Sequence, residues 1–269
     1  MKPNTNRKSP FDVDLPHRLF LRRQRAALPP TGQPGREELI ERLRKFGMFA
    51  DLPKDILHKL AASAHVGTFR AGEYLWRQGE ANSRVLFINQ GLAKTTRQVR
   101  GGASRTYGLY GPGDSMGIYA MWAGMTYPTD AVAMTDGMTA IVLSSAALLK
   151  CAHRQPRLAA PMMTEIGRFT ESFMRKIEIV SAGSVPQRLA VLMDMLVERY
   201  GNTSEAHAAH LPIHLTLEQI GEIVDARLET VARVLSRWKR QDWLRVNKDG
   251  FHFTRMDKVR SLLPGPDSE

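Results

Sequence analysis

The sequence predicts an α+β fold in three parts: an all-β sandwich or barrel, one long helix, and a C-terminal unit of short helices closed by a β-hairpin. Three observations carry this reading. Between Val66 and Leu143, short apolar runs alternate with Gly72, Gly79, Gly91, Gly111, Gly113, Gly117 and Gly137, the texture of strands joined by tight turns. After Pro156 the apolar period lengthens to that of a helix with a heptad-like repeat. Beyond Leu215, two short amphipathic helical patterns precede Asp249-Gly250, a strong hairpin signal between two apolar runs.

A chain of 269 residues is long for one small module and fits two compact domains with connecting segments. With 43% hydrophobic and 24% charged residues, it contains no run of about eighteen apolar residues, so no membrane span is expected. Lys2, Arg7, Lys8, Arg18, Arg22, Arg23 and Arg25 punctuate the N-terminus where a secretory signal would be apolar, so a cytoplasmic location is expected. Cys151 is the single cysteine, which excludes an intrachain disulfide and a four-cysteine zinc or iron-sulfur site within one chain. The net charge of +11 favours a polyanionic partner, because each cation that neutralises a phosphate releases counterions.

Taken in order, residues 1–37 carry Pro3, Pro10, Pro16, Pro29, Pro30 and Pro34 among basic residues, a composition that predicts a disordered arm. Helix-like stretches over Glu37–Phe46 and Lys54–Ala64 lead into a β domain, the two together spanning 38–153. Val85–Ile88 and Thr139–Leu143 are its clearest strands. The long helix is placed at 154–182. Ile166, Phe173 and Val180 recur at sevens, with Met162 and Phe169 at the complementary positions, giving a seam that one helix cannot bury alone. A homodimer is therefore expected, the alternative being that the helix packs on its own β domain. Lys176 interrupts the repeat and Ile177 stands beside it. Ser181-Ala182-Gly183-Ser184 reads as a hinge, Pro186 suits the first turn of the next helix, and a third domain spans 183–263 before a tail of 264–269.

In that third domain Thr216-Leu217-Glu218-Gln219 has capping-box spacing, with Leu217, Ile220 and Val224 able to face inward. A break at Asp225-Ala226 leads to a helix from Arg227. There Val231, Val234, Leu235 and Trp238 share one stripe, leaving Leu228, Glu229, Ala232, Arg233 and Ser236 on the other. Two helices joined in this way, the second with a polar face near its N-terminus, make a helix-turn-helix. Leu244-Arg245-Val246 and Phe251-His252-Phe253 flank Asn247-Lys248-Asp249-Gly250 as a wing. Arg237, Lys239, Arg240, Arg245 and Lys248 can contact phosphates. The candidate DNA-binding set is Thr216, Arg227, Leu228, Glu229, Thr230, Ala232, Arg233, Ser236, Arg237 and Lys248.

The chain resembles the Crp/Fnr regulator family over roughly residues 38 to 263. The resemblance rests on Arg70-Ala71-Gly72-Glu73, Gln78-Gly79-Glu80, Gly111-Pro112-Gly113-Asp114 and, most specifically, Leu228-Glu229-Thr230-Val231-Ala232-Arg233-Val234-Leu235. It implies that the β domain is a jelly-roll-like double-stranded β-roll of the cyclic-nucleotide-binding type, followed by a dimer helix and a winged helix-turn-helix that regulates transcription on double-stranded DNA, with RNA polymerase as a protein partner. It also implies that Glu229 and Arg233 read a GA-containing half-site. Leu228 stands where cyclic-AMP-binding members carry an arginine, so a TTGA-like half-site is expected rather than TGTGA.

Two anchors of the nucleotide-binding members are missing. Gly117-Ile118 stands where they have Gly-Glu, and Thr129-Asp130-Ala131 where they have an arginine, a serine or threonine, and an alanine. Ile118 cannot accept from a ribose hydroxyl and Asp130 would oppose a phosphate, so cyclic AMP is not expected. Ile118, Tyr119, Trp122, Thr129 and Asp130 remain the candidate effector pocket. The cysteine cluster of iron-sulfur oxygen sensors is also absent, and no cofactor is expected. Cys151, near Lys150, His153 and Arg154, is a candidate redox residue, although a lone cysteine is more often inert. His207, His210 and His214 have spacing that could suggest a metal or haem, but an ordinary loop and strand is the simpler reading, and no metal site is assigned. Two rival functions stand behind a DNA-binding regulator. One is a nucleotide-type regulatory module acting on a protein partner, which leaves the winged unit without purpose. The other is an enzyme, which lacks a P-loop, a nucleophile elbow or a His-Glu metal pair at useful spacing.

Overall fold

A computed structural model describes residues 34–98, 104–203 and 207–265. The arm expected over 1–37 lies outside these residues except for its last four, and the tail over 264–269 except for its first two.

The first helix, α1 (Arg36–Arg44), opens with Glu37 and Glu38 and closes with Arg42 and Arg44, charges placed to suit the helix dipole. It buries Leu39, Ile40 and Leu43. After a 3₁₀ turn at Gly47–Phe49, α2 (Lys54–Ala61) begins behind Pro53 and buries Ile56, Leu57 and Leu60. Both helices close one end of the roll, where Phe46 and Phe49 meet Phe87 edge-on at 5.2 and 4.9 Å.

The roll holds β1 (Ala64–Phe69), β2 (Tyr74–Trp76), β3 (Arg84–Gln90), β4 (Ala93–Gln98), β5 (Ser104–Tyr110), β6 (Ser115–Met116), β7 (Asp130–Ala133) and β8 (Met138–Ser144). Two antiparallel four-stranded sheets result, in the orders β1-β8-β3-β6 and β2-β7-β4-β5. β8 lies between two neighbours and is buried along Met138–Leu143, so its sequence reads as a continuous apolar run instead of alternating. Between β6 and β7, α3 (Ile118–Trp122) starts from Gly117, whose φ of 90 a side chain would resist.

Next come α4 (Ser145–Arg154) and the 23-residue α5 (Ala159–Ser181), which lies along β5 and α3. Its two sides differ. Met162, Glu165 and Ile179 are buried against the same chain, whereas Met163, Phe173, Met174 and Ile177 are 42–60% exposed. Met162 thus faces the roll, not the seam expected of it, because the exposed repeat is one residue out of phase at that end. No helix among the described residues is long and apolar enough to cross a membrane.

Gly183, with φ of 90, ends the turn after α5. The last part contains α6 (Val185–Tyr200), β9 (Asn202–Thr203), β10 (Ala209–Leu211), α7 (Leu217–Val224), α8 (Leu228–Arg240), β11 (Leu244–Asn247), β12 (Gly250–Phe253) and α9 (Met256–Arg260). Leu189, Leu192, Leu196, Ile220, Ile223, Val231, Trp238, Phe251 and Phe253 share one core. Leu92, Leu109 and Met134 of the roll join that core, so the two domains of the chain are packed together. Arg199 pairs with Asp114 at 2.8 Å across this contact, and Tyr200 donates to the same carboxylate at 3.1 Å.

Candidate nucleic-acid interface

The interface is built from two helices and a hairpin. Thr216 caps α7: its hydroxyl accepts from the Gln219 amide at 3.1 Å, and Gln219 Oε1 accepts from the Thr216 amide at 2.9 Å. Gln219 Nε2 also donates to Met134 O at 2.9 Å, tying the start of α7 to the roll. At the other end Asp225 takes a left-handed conformation, φ 53, and the Ala226 amide donates to Gly221 O at 2.9 Å. A Cβ at Gly221 would stand 2.8 Å from Ala226 O, so a side chain there would crowd the turn. The turn ends at Arg227, the N-cap of α8.

Along α8, burial divides the faces as the 3.6-residue period requires. Val231, Val234, Leu235 and Trp238 are buried, while Leu228, Glu229, Arg233, Ser236 and Arg237 are exposed and Thr230 and Ala232 are intermediate. Glu229 and Arg233 are one turn apart and no ion pair joins them among the described residues, so both heads are available to an incoming ligand. Arg237, Lys239 and Arg240 follow in the last turn.

The wing pairs β11 with β12 from Leu244↔Phe253 to Asn247↔Gly250, leaving Lys248-Asp249 as its two-residue tip. Gly250 has φ 126, and a Cβ there would meet Leu211 O at 2.1 Å, so glycine is required for the turn to pass β10. Lys248 is exposed at the tip. Arg245, expected among the phosphate contacts, is held by Asp242 at 2.9 Å. A helix with an exposed Arg-Glu face, presented beside a cationic hairpin, can enter a major groove while the hairpin lies along the backbone.

The expected effector residues do not all come together. A cleft in the roll is lined by Ile118, Tyr119 and Thr129, together with Trp76, Tyr110 and Glu165. Trp122 is 43% exposed outside it, tilted against His153 at 6.2 Å. Asp130 is turned to the backbone, accepting from the Gln78 amide at 2.7 Å. Ile118 is 3% exposed and belongs to the core. Among the described residues no lysine or arginine lines the cleft. Burial pushes the Glu165 carboxyl up, countered by Arg168 at 2.6 Å. The residues present therefore do not fit a cyclic phosphate, which needs a paired cation in so enclosed a site. Phe169, from the expected seam, stacks on Tyr119 at 4.7 Å and closes this cleft. Burial pushes the Cys151 thiol up, opposing the thiolate that a redox switch needs.

Sequence reasoning missed several residues. Met163 lies on the exposed side of α5 with Ile177, the residue noted beside Lys176; keeping Ile166, Phe173 and Val180 and moving only the complementary positions one residue later, from 162 to 163 and from 169 to 170, finds it. Trp76, Tyr110 and Glu165 reach the cleft from three separate elements, which no local spacing signals. Of the three histidines, His207 stands 3.9 Å from Asp257, and His214 Nε2 contacts Lys248 O. His210 meets His252 instead, its ring stacked at 4.2 Å.

The chain matches the cyclic nucleotide-binding domain family over residues 66–155 and the Crp-like helix-turn-helix domain family over residues 187–262. It is 23% identical over 206 residues to the CRP-like cAMP-activated global transcriptional regulator of Mycobacterium tuberculosis, covering 77% of this chain and 91% of that one. It is also 23% identical over 196 residues to the transcriptional activator protein anr of Pseudomonas aeruginosa, covering 73% and 79%. Among solved structures, FixK2 from Bradyrhizobium japonicum superposes with a TM-score of 0.65 at 17% identity, covering 75% of this chain and 98% of that one.

Proposed function

The chain belongs to the Crp/Fnr family of transcription regulators, and we propose that it acts as a homodimer on an inverted pair of TTGA-like half-sites without responding to cyclic AMP. The observation that carries this reading is the exposed face of α8, where Leu228, Glu229 and Arg233 stand clear of the core, with Lys248 exposed at the tip of the wing. Arg233 donates to guanine O6 and N7, Glu229 accepts from a cytosine amine, and Leu228 offers a thymine methyl only apolar contact. Thr216, Arg227, Thr230, Ala232, Ser236, Arg237 and Lys248 set register through backbone and groove contacts, carrying little sequence information. The half-sites lie about one helical turn apart, matching a two-fold axis along α5.

The exposed side of α5 supports the dimer. Met163, Ile166, Thr170, Phe173, Ile177 and Val180 follow one another at alternating spacings of three and four, the a/d pattern of a coiled coil. Ile166, Phe173 and Val180 are shared with the sequence expectation. The effector cleft without a cation supports independence from cyclic AMP, although the mycobacterial relative is described as cAMP-activated. A cytoplasmic setting, RNA polymerase as a partner and the absence of a catalytic role follow from the same reading.

Fluorescence anisotropy tests it. Affinity for a duplex with two inverted TTGA half-sites should exceed that for a scrambled duplex by roughly 10³-fold or more, with a steep loss on added salt. Cyclic AMP should leave both values unchanged. Equal binding to the two duplexes would refute the half-site assignment, and a cyclic-AMP-dependent gain would refute the effector reading.

A further inference from the structure

We propose that the wing carries a metal site, in which His210, His252 and Asp249 bind one divalent transition ion of the zinc type. β10 and β12 pair antiparallel with His210 directly opposite His252. Their rings lie 4.2 Å apart and 14° from parallel. Both Nε2 atoms turn to Asp249 at the hairpin tip. His252 Nε2 is 2.9 Å from Oδ1, and His210 Nε2 is 3.7 Å from Oδ2 and 3.1 Å from the Asp249 carbonyl. The ligand atoms of the three side chains all lie within 4.8 Å of one another.

The donor set decides the chemistry. Two imidazole nitrogens and one carboxylate oxygen suit zinc and its borderline neighbours and leave a fourth position for water. The histidine side chains are 29% and 31% exposed, shielded along their edges yet open to an ion from solvent. A turn-capping role for Asp249 needs only one histidine. The second, stacked on the first, brings its own Nε2 to 3.1 Å from the Asp249 carbonyl and 3.7 Å from the same carboxylate, so both rings converge on one residue. A bound cation uses both as neutral ligands. Gly250 packs against Leu211 O, next to His210, so the turn that carries Asp249 is already fixed against β10.

An ion at this point ties β10 to the turn that displays Lys248. It stiffens the wing and adds positive charge next to the DNA backbone; this consequence rests on the DNA-binding reading above, whereas the site itself does not.

The test uses the full-length chain in a non-chelating buffer with zinc chloride, and cobalt chloride as a spectroscopic stand-in. Calorimetry should give one ion per chain, and cobalt should give the intense visible bands of a four-coordinate complex. His252→Ala and Asp249→Asn should each weaken binding by more than the roughly 10–100-fold that losing even an outer-shell partner costs. His58→Ala, at the other end of the chain, should leave it unchanged. Circular dichroism confirms that the variants fold. No stoichiometric ion, or an ion indifferent to both wing substitutions, would overturn the site. Zinc should then tighten operator binding by the unaltered chain and not by His252→Ala. Metal binding without that gain would overturn the coupling and leave the site standing, and metal binding with no DNA binding at all would count against the DNA reading only.

Discussion

Arg233 and Glu229 sit on the exposed side of α8 because Val231, Val234, Leu235 and Trp238 claim the other side for the core. That division assigns different work to neighbouring cations. Arg233 is exposed on that side, so under the proposed base reading Arg233→Ala should cost roughly 1–3 kcal/mol on a specific duplex and much less on random DNA. Lys248 stands at the wing tip, so Lys248→Ala should weaken both alike and reduce the salt slope by about one. Anisotropy on the two duplexes separates these outcomes, and an equal loss on both for Arg233→Ala would reassign it to phosphate. The cleft in the roll follows the same logic of single residues. Ile118 is in the core and has no polar atom to offer a sugar, and Asp130, an anion turned to the Gln78 amide, would oppose a phosphate.

At the scale of elements, α5 presents the clearest prediction. Phe173 is 42% exposed, its ring stacked on Tyr107 at 5.9 Å, in the middle of the unpartnered apolar side. Phe173→Glu would place a carboxylate in the proposed helix–helix seam, so sedimentation should shift toward monomer with the proposed dimer weakened at least about tenfold. An unchanged dimer would put the interface elsewhere. The helices and strands of the fold were largely legible in the sequence, since α5 and α8 declare a helical period over a full element and β8 stands out as a short apolar run bounded by turn signals. The face of α5 was less so. A complementary series read one residue early still collects apolar residues, because Met162 and Phe169 face the roll while the neighbouring Met163 faces outward, and a long helix between two apolar surfaces carries both stripes. The tip of the wing was legible from Asp249-Gly250, but the approach of His252 to His210 depends on strand register, which spacing along the chain does not encode.

On the scale of the whole molecule, the winged unit is docked on the roll through polar ties as well as the shared core. Lys94 pairs with Glu222, Arg199 with Asp114, and Lys176 donates to the carbonyls of Glu222 and Ile223 at the end of α7. Burial pushes Lys176 from 10.5 down to about 8, with Arg105 and Arg188 adding to the shift and Asp225 and Glu222 opposing it. Since the undocked lysine holds its proton more tightly, docking carries the full penalty below about pH 8 and strengthens as pH rises from there toward the unperturbed value. The unfolding free energy of the unaltered chain should therefore gain on that of Lys176→Met across that window, by roughly 1–2 kcal/mol after allowance for solvent screening. A constant difference would mean that Lys176 is hydrated and the contact open. The most direct test of the central claim, sequence-specific reading by a symmetric pair of α8 helices, is selection of bound duplexes from a randomised library. Enrichment of inverted TTGA-like half-sites about one helical turn apart is the predicted result. Recovery of no motif, or of a single half-site without its inverted partner, would contradict it.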